Sequence, residues 1–361
     1  GVRNWDYRYC WIRDASLTVQ ALIALGHETE ALDFLLWSER VSQAKAEEGW
    51  HLQIMYGLDG ETELDEVELT HLEGYRGSRP VRIGNGAAKQ RQLDTYGELL
   101  NSAYELVRRG VELDPTMRTF LRSLADGACA DWNEPDYGIW EVRGGAEHFT
   151  YSKLLVWLAL DRAVHLSDII GADAEADVAR WRDTRELVRT QILERGYDRE
   201  TNSFVQSFGT RAPDAANLLI PLYELLPFDD PRVQGTIDRT LNELTENGLV
   251  YRYHADDGLP GPEGAFGLCT FWLVDALALS GRIDEAWHIF EGIAGRANHV
   301  GLLPEQFDAQ SGGFLGNFPQ AFTHIGLINS RIYLAHAEGK TIPGPPALGT
   351  PEHRRAIGHS P

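Results

Sequence analysis

Two kinds of helical pattern alternate along the chain. Residues 154–166 are apolar at ten of thirteen positions, so no side of that helix can face water. The following segment, 174–193, carries Val178, Trp181, Leu187, Val188 and Ile192 as one stripe among Arg, Asp and Glu. The pair recurs as 215–226 (apolar) with 233–244 (striped), and as 266–279 with 283–293. Upstream, Leu17, Val19, Ala21, Leu22, Ile23 and Leu25 make the segment after Asp14 apolar nearly all round, and 28–46 mixes Phe34, Leu35, Trp37 and Val41 with charge. A polar, acidic loop over 47–86 leads to a helix over 87–109, then to an amphipathic partner over 115–130 with Pro115 in its first turn. A last buried helix spans 320–337. Strand signals are few, and 196–209 reads as a small hairpin. The Pro-Gly-Pro-Pro tail, 341–361, is expected to be disordered, which leaves 1–340 as one domain.

Buried helices thus begin near residues 14, 87, 149, 213, 265 and 319, each but the last followed by an amphipathic one. Six all-round apolar helices ringed by striped ones explain this order, and the predicted fold is an all-α (α/α)6 barrel. Eleven helices are counted, so the first outer helix is expected to lie before Gly1. An α-solenoid is the alternative; spacings of 52 to 73 residues and no repeated consensus disfavour it. With inner helices mutually parallel, every loop leading into one opens at the same end. Those loops carry Trp11-Ile12-Arg13-Asp14, Gly138-Ile139-Trp140-Glu141, Tyr251-Arg252-Tyr253, Glu263-Gly264-Ala265-Phe266 and Leu303-Pro304-Glu305-Gln306-Phe307. Aromatic and charged residues therefore converge on one rim.

Charge narrows what that rim binds. A net charge of −21 and a pI near 4.9 argue against nucleic acid or an anionic membrane surface, but not against a neutral substrate. Ten Trp residues, several in Gly-bounded polar loops, suit flat ligands with polar edges such as sugars. The three cysteines, Cys10, Cys129 and Cys269, have neither metal-site nor disulfide spacing and imply a reducing, cytoplasmic compartment. No segment reads as a membrane span or signal peptide. No GxSxG, P-loop or GxGxxG motif occurs, and His148, His254 and His299 are too scattered for a metal.

Two loop carboxylates dominate the chemistry. Glu141 stands beside Trp140 in a glycine-bounded loop, and an apolar wall next to a carboxyl keeps it protonated near neutrality, as a general acid requires. The plain alternative is a surface Glu paired with Arg143. Glu305, between Pro304 and Gln306, has its own alternative as a neighbour of a helix N-cap. These loops enter the third and sixth inner helices, which are opposite in a ring of six. Facing carboxyls about 6.5–9.5 Å apart are what inverting glycoside hydrolysis needs. Arg13 and Asp14 read as a handle for sugar hydroxyls, Arg donating and Asp accepting, or as an N-terminal cap. Gln92 and Asp94 face the funnel or join a buried network. Arg252, flanked by tyrosines, is a further candidate sugar contact, and Glu263 stands on the same rim.

The run Asn4-Trp5-Asp6-Tyr7-Arg8-Tyr9-Cys10-Trp11-Ile12-Arg13-Asp14, with Gly138-Ile139-Trp140-Glu141 and Pro304-Glu305-Gln306-Phe307, resembles glycoside hydrolase family 15, which contains glucoamylases, bacterial-type trehalases and related exo-α-glucosidases. The stretch 145–164, with His148-Phe149-Thr150-Tyr151-Ser152-Lys153, is similar to the trehalase-like branch. The resemblance implies Glu141 as general acid, Glu305 as general base and inversion to β-glucose. It implies that Arg13 and Asp14 hold the terminal glucose with Trp11 stacked nearby, that Tyr7 orients the water and that Arg252 contacts hydroxyls. Members often carry an N-terminal β-sandwich; neither that nor a starch-binding module is expected within these residues. Val142 stands where fungal glucoamylases have a second acid, so the adjoining subsite is expected to differ.

The resulting expectation is an exo-acting, inverting α-glucoside hydrolase on a small neutral carbohydrate, trehalose first, then isomaltose or maltose-type oligosaccharides or longer α-glucans. No cofactor or metal is expected; a phosphate or Mg²⁺ requirement is left open by the resemblance. A 2-epimerase would want paired histidines where these loops offer acids. A non-hydrolytic sugar-binding barrel is disfavoured by the presence of both Glu141 and Glu305.

Overall fold

The computed structural model describes residues 2–43, 52–171, 174–255, 258, 263–340 and 346–356. The chain forms two compact units, one of residues 5–72 with 81–194, the other of residues 1–4, 73–80 and 195–361. No helix among the described residues is long and apolar enough to cross a membrane.

The first unit holds α1 (Ile12–Ala24), α2 (Glu28–Gln43), α3 (Asp94–Arg108), α4 (Pro115–Asp131), α5 (Thr150–His165) and α6 (Ala174–Arg195), the last residue of which belongs to the second unit. α5 is buried from Thr150 to Ala163, as its apolar surround demands, and α3 from Asp94 to Leu106, although Asp94, Glu98, Asn101 and Glu105 run along it as a polar stripe. α3 packs against both α1 and α5. Gly97 permits this approach, because a Cβ there would lie 2.3 Å from the Leu155 carbonyl oxygen. α4 is started by the Asp114 side chain, which accepts from the Met117 amide at 2.8 Å, and by Pro115 at its first position. It buries one stripe: Met117, Phe120, Leu121, Leu124, Ala125 and Ala128.

Two differences from the sequence reading bear on the site. The helix expected from residue 87 begins at Asp94; Ala87 and Ala88 instead join Trp11, Ile54, Met55 and Leu64 in a small apolar cluster. The expected loop over 47–86 contains strands where it is described. β1 (Cys10–Trp11) pairs antiparallel with β2 (Met55–Tyr56), and β3 (Val67–Glu68) with β4 (Arg82–Ile83).

The second unit begins with the expected hairpin, β5 (Tyr197–Asp198) on β6 (Ser203–Phe204). The apolar helix predicted over 215–226 is shorter: a 3-10 turn over Ala215–Leu218 leads into α7 (Leu219–Leu222). Pro221 has no amide to donate and disfavours helix before it, and Glu224 at φ +71° closes the turn. α8 (Pro231–Glu243) is capped by Asp230 and followed by the pair β7 (Thr245–Glu246) and β8 (Leu249–Val250). β9 (Ala265–Phe266) runs into α9 (Gly267–Leu279), buried from Gly267 to Ala278, and α10 (Ile283–Ala294) follows with a single stripe. β10 (Gln306–Phe307) lies between β9 and β11 (Phe314–Leu315) in a three-stranded antiparallel sheet. α11 (Ala321–Ala337) packs on α9 but buries only Thr323, Ile325, Gly326, Ser330, Tyr333 and Leu334; Asn329, Arg331 and His336 break the apolar surround expected of it. Within the tail expected to be disordered, α12 (Pro351–Ala356) forms, with His353 and Arg354 buried; residues 341–345 and 357–361 lie outside the described residues.

Candidate active site

In the first unit, the Glu141 loop is pinched at its base. Asp136 and Glu147 exchange backbone hydrogen bonds, at 2.9 and 2.8 Å, and the buried Asp136 carboxylate accepts the Leu93 amide at 3.0 Å, fixing the loop to the start of α3. Inside the loop, Gly138 (φ +67°) and Glu141 (φ +56°) are both left-handed. A glutamate there costs roughly 1–2 kcal/mol, and such strain persists only where the surroundings hold it. Here the Glu141 amide donates to the Gly138 carbonyl at 3.2 Å, and Gln90 Nε2 donates to the Val142 carbonyl at 3.1 Å.

That backbone turns the Glu141 carboxylate toward α1. Its Oε1 accepts from Trp11 Nε1 at 2.8 Å and from Arg13 Nη2 at 3.2 Å. Arg143, the alternative partner, lies instead over the Trp5 ring, 5.6 Å from its centroid. Glu141 is thus not a surface acid paired with its own neighbour.

Arg13 is the hub of this cluster. Its guanidinium also donates to Asp14 Oδ1 at 2.9 Å and Gln92 Oε1 at 3.1 Å, and stands 3.9 Å from Asp94. Burial pushes the Asp94 carboxyl up to about 7 against the pull of Arg13. Asp14 moves the same way for the same reason, although 24% of its side-chain surface stays open. Gln92 Nε2 is buried and has no hydrogen-bond partner among the described residues. The Tyr7 ring stands 5.7 Å from Trp11, and Trp140 is half-buried beside Glu141. Trp11, Arg13, Asp14, Gln92, Asp94 and Glu141, each singled out in the sequence, therefore form one polar cluster with Tyr7 at its edge.

Sequence reasoning missed Glu98. It is fully buried one turn beyond Asp94 on α3, accepts from Tyr151 OH at 3.0 Å, and is pushed by burial up to about 8. A neutral acid behind two others is a device for packing several carboxyls around one arginine. The only trace in the sequence is an acid four residues after Asp94.

In the second unit, Glu305 leads into β10 and is 8% exposed. Its amide donates to the Asn317 carbonyl at 2.9 Å, its own carbonyl accepts from the Gly267 amide at 3.0 Å, and the Asn317 amide donates to Oε2 at 2.9 Å. α11 is capped by the Gln320 side chain rather than by Glu305, whose carbonyl instead meets the first amide of α9. Gly316 (φ +68°) passes so close that a Cβ there would sit 2.5 Å from Glu305 Oε2. Arg252 is ion-paired with Glu263 and lies over the rings of Tyr253 and Phe266, at 5.4 and 5.1 Å. Gln306 Oε1 accepts from the Gly264 amide at 3.3 Å. Arg252, Glu263 and Glu305 are thus all anchored in or beside the three-stranded sheet. His254 bonds the Glu243 carbonyl at 3.1 Å, and among the described residues no group of His, Cys, Asp or Glu is arranged to hold a metal ion.

The family model for glycosyl hydrolases family 15 matches residues 2–331. The chain is 45% identical over 341 residues to the trehalase of Mycolicibacterium smegmatis, covering 94% of this chain and 51% of that protein. It is 37% identical over 330 residues to the trehalase of Thermoplasma volcanium (91% and 52%). It is 26% identical over 313 residues to the isomaltose glucohydrolase of Kribbella flavida (82% and 74%). The chain spans about half the length of the two trehalases. Among solved structures, a bacterial glucoamylase complexed with acarbose matches with a TM-score of 0.71 at 15% identity, over 97% of this chain and 51% of that one. A glycosidase in complex with glucose matches with a TM-score of 0.71 at 21% identity, over 92% and 88%. These structural likenesses bear out the all-α (α/α)6 class.

Proposed function

We propose that this chain, which belongs to glycoside hydrolase family 15, hydrolyses terminal α-glucosidic bonds of a small neutral sugar with inversion, trehalose being the first candidate. The observation that carries the reading is the Glu141 carboxylate. Both of its donors among the described residues, Trp11 and Arg13, converge on Oε1, which orients the carboxyl and leaves Oε2 to face a substrate oxygen. A carboxylic acid so oriented by a strained loop is suited to protonate a leaving oxygen.

Glu141 then gives its proton to the glycosidic oxygen as the C1–O bond breaks. Glu305 takes a proton from the water that adds to C1 from the opposite face, releasing β-glucose. Arg13, Asp14 and the spare Gln92 amide donor hold hydroxyls of the terminal glucose, with Asp94 behind them. Tyr7 and Trp11 wall that ring, Tyr7 orients the water, and Arg252, held by Glu263, contacts hydroxyls. Trehalose stands first because the relatives at 45% and 37% identity bear the name trehalase; isomaltose stands second on the more distant Kribbella flavida glucohydrolase.

The test is a panel of trehalose, maltose, isomaltose and soluble starch with glucose readout, followed by Glu141→Gln and Glu305→Gln. Each variant should lose roughly 10²–10⁴-fold in kcat with an unchanged melting curve. Near-full activity in both variants sinks the assignment. Proton NMR of the first product should show β-glucose; α-glucose would mean retention.

A further inference from the structure

Three large apolar side chains stand exposed within five residues of the second unit: Phe314 at 39%, Leu315 at 41% and Phe318 at 46%. Exposure of this kind on one short segment asks for a partner. The two phenylalanine rings form a platform, with centroids 5.3 Å apart and an interplanar angle of 34°. Phe307, fully buried, meets Phe314 edge-on at 5.7 Å and fixes it from behind. The platform is thus backed by the core at Phe307 while both of its rings stay exposed.

Its place decides what it serves. Gly316 and Asn317, between the two rings, are the residues that hold Glu305, through the Asn317 amide at 2.9 Å and the close pass of Gly316. The rings and the backbone that holds the Glu305 carboxylate thus belong to one short segment, β11 and the turn after it. In a site that admits only a terminal glucose, the scissile sugar goes to the enclosed side, and exposed side chains meet what lies beyond the bond. A sugar ring has apolar C–H faces, which stack on aromatic rings.

Resting on the reading of Glu305 as general base, we infer that Phe314 and Phe318 form a platform for the leaving-group sugar, and so set the preference for a disaccharide over a substrate with a small leaving group. The segment is then both the mount of the base and a specificity element.

The experiment compares trehalose, whose leaving group is a glucose ring, with α-glucosyl fluoride, whose leaving group has no ring. In Phe318→Ala, at the more exposed ring, kcat/KM for trehalose should fall about tenfold more than for the fluoride, chiefly through KM. Phe318→Tyr, which keeps the flat face, should restore the preference, and Phe318→Leu should not. Equal loss on both substrates would mean that the ring only props Glu305, and no loss would mean that it touches nothing; either overturns the inference. If the unmutated chain cleaves the fluoride but no disaccharide, the platform falls while the hydrolase stands. If it cleaves neither, the hydrolase reading fails and takes the platform with it.

Discussion

Gly316→Ala isolates what the structure does to Glu305. The residue has φ +68°, and an added Cβ would lie 2.5 Å from Glu305 Oε2, 3.0 Å from its Cβ and 3.1 Å from its Cδ. Alanine in the left-handed region costs about 1 kcal/mol. The clash then drives the carboxylate away by about 1 Å, a displacement that can cost ~100-fold in rate. It also loosens the charge-assisted bond from the Asn317 amide, worth about 1.5–3 kcal/mol. We expect kcat to fall about 100-fold with KM changed little, because the base works on the water rather than on the sugar's hydroxyls. Melting should drop by a few degrees only, since the turn is a surface feature. Steady-state kinetics on the best panel substrate, with a melting curve beside it, reads both. A folded Gly316→Ala that keeps kcat within about twofold would refute the claim that this turn positions the base. Asn317→Ala, which keeps the main-chain donor, should lose far less.

Three other outcomes follow from the same contacts. Glu98 holds its proton up to about pH 8 in the fold, whereas an unfolded chain releases it near the ordinary carboxyl value. Stability from this group is therefore full at low pH and is lost as pH rises from about 5 toward 8. Glu98→Gln should flatten that slope and melt higher than wild type at pH 9; an unchanged slope in calorimetry would be contrary. Trp11→Phe removes the donor at 2.8 Å from Glu141, and should lower kcat about tenfold or more with secondary structure intact by circular dichroism. Arg354→Ala strands the buried Leu226 and Glu224 carbonyls, which its guanidinium reaches at 2.9 and 3.3 Å, and should cost about 2 kcal/mol in a denaturant melt.

The helices that sequence marks most sharply are those with no face to spare for water. α5 and α9 are apolar all round and are buried almost end to end. Boundaries set by distant partners were not visible. The start of α3 moves to Asp94 because Tyr137 bonds the Arg91 carbonyl at 3.2 Å and Asp136 bonds the Leu93 amide at 3.0 Å. Helix propensity over 87–93 cannot register either contact. The tail misled for a related reason. Its composition reads as solvated, yet His353 meets Glu224 at 2.5 Å, and both are fully buried. One short helix anchored by polar side chains gives almost no periodic signal.

The site divides along the same line. Glu141 was legible because glycines and a tryptophan bound it locally; Arg13, 128 residues away, was legible only as a separate candidate, and nothing in either segment says that they meet. Glu98 was hidden for a sharper reason. Amphipathic reasoning assigns every acid on a helix to the solvent face, and so cannot see one kept neutral inside. Its burial becomes intelligible only once Arg13 is known to carry Asp14, Asp94 and Glu141 together. Burial, with Asp94 one turn away and a single guanidinium shared among the carboxylates, keeps the proton on Glu98, which accepts from the Tyr151 hydroxyl. Burial together with charge balance around Arg13 therefore explains a residue that no local pattern marks, and it ties the protonation of Asp94 and Glu98 to the group that orients Glu141.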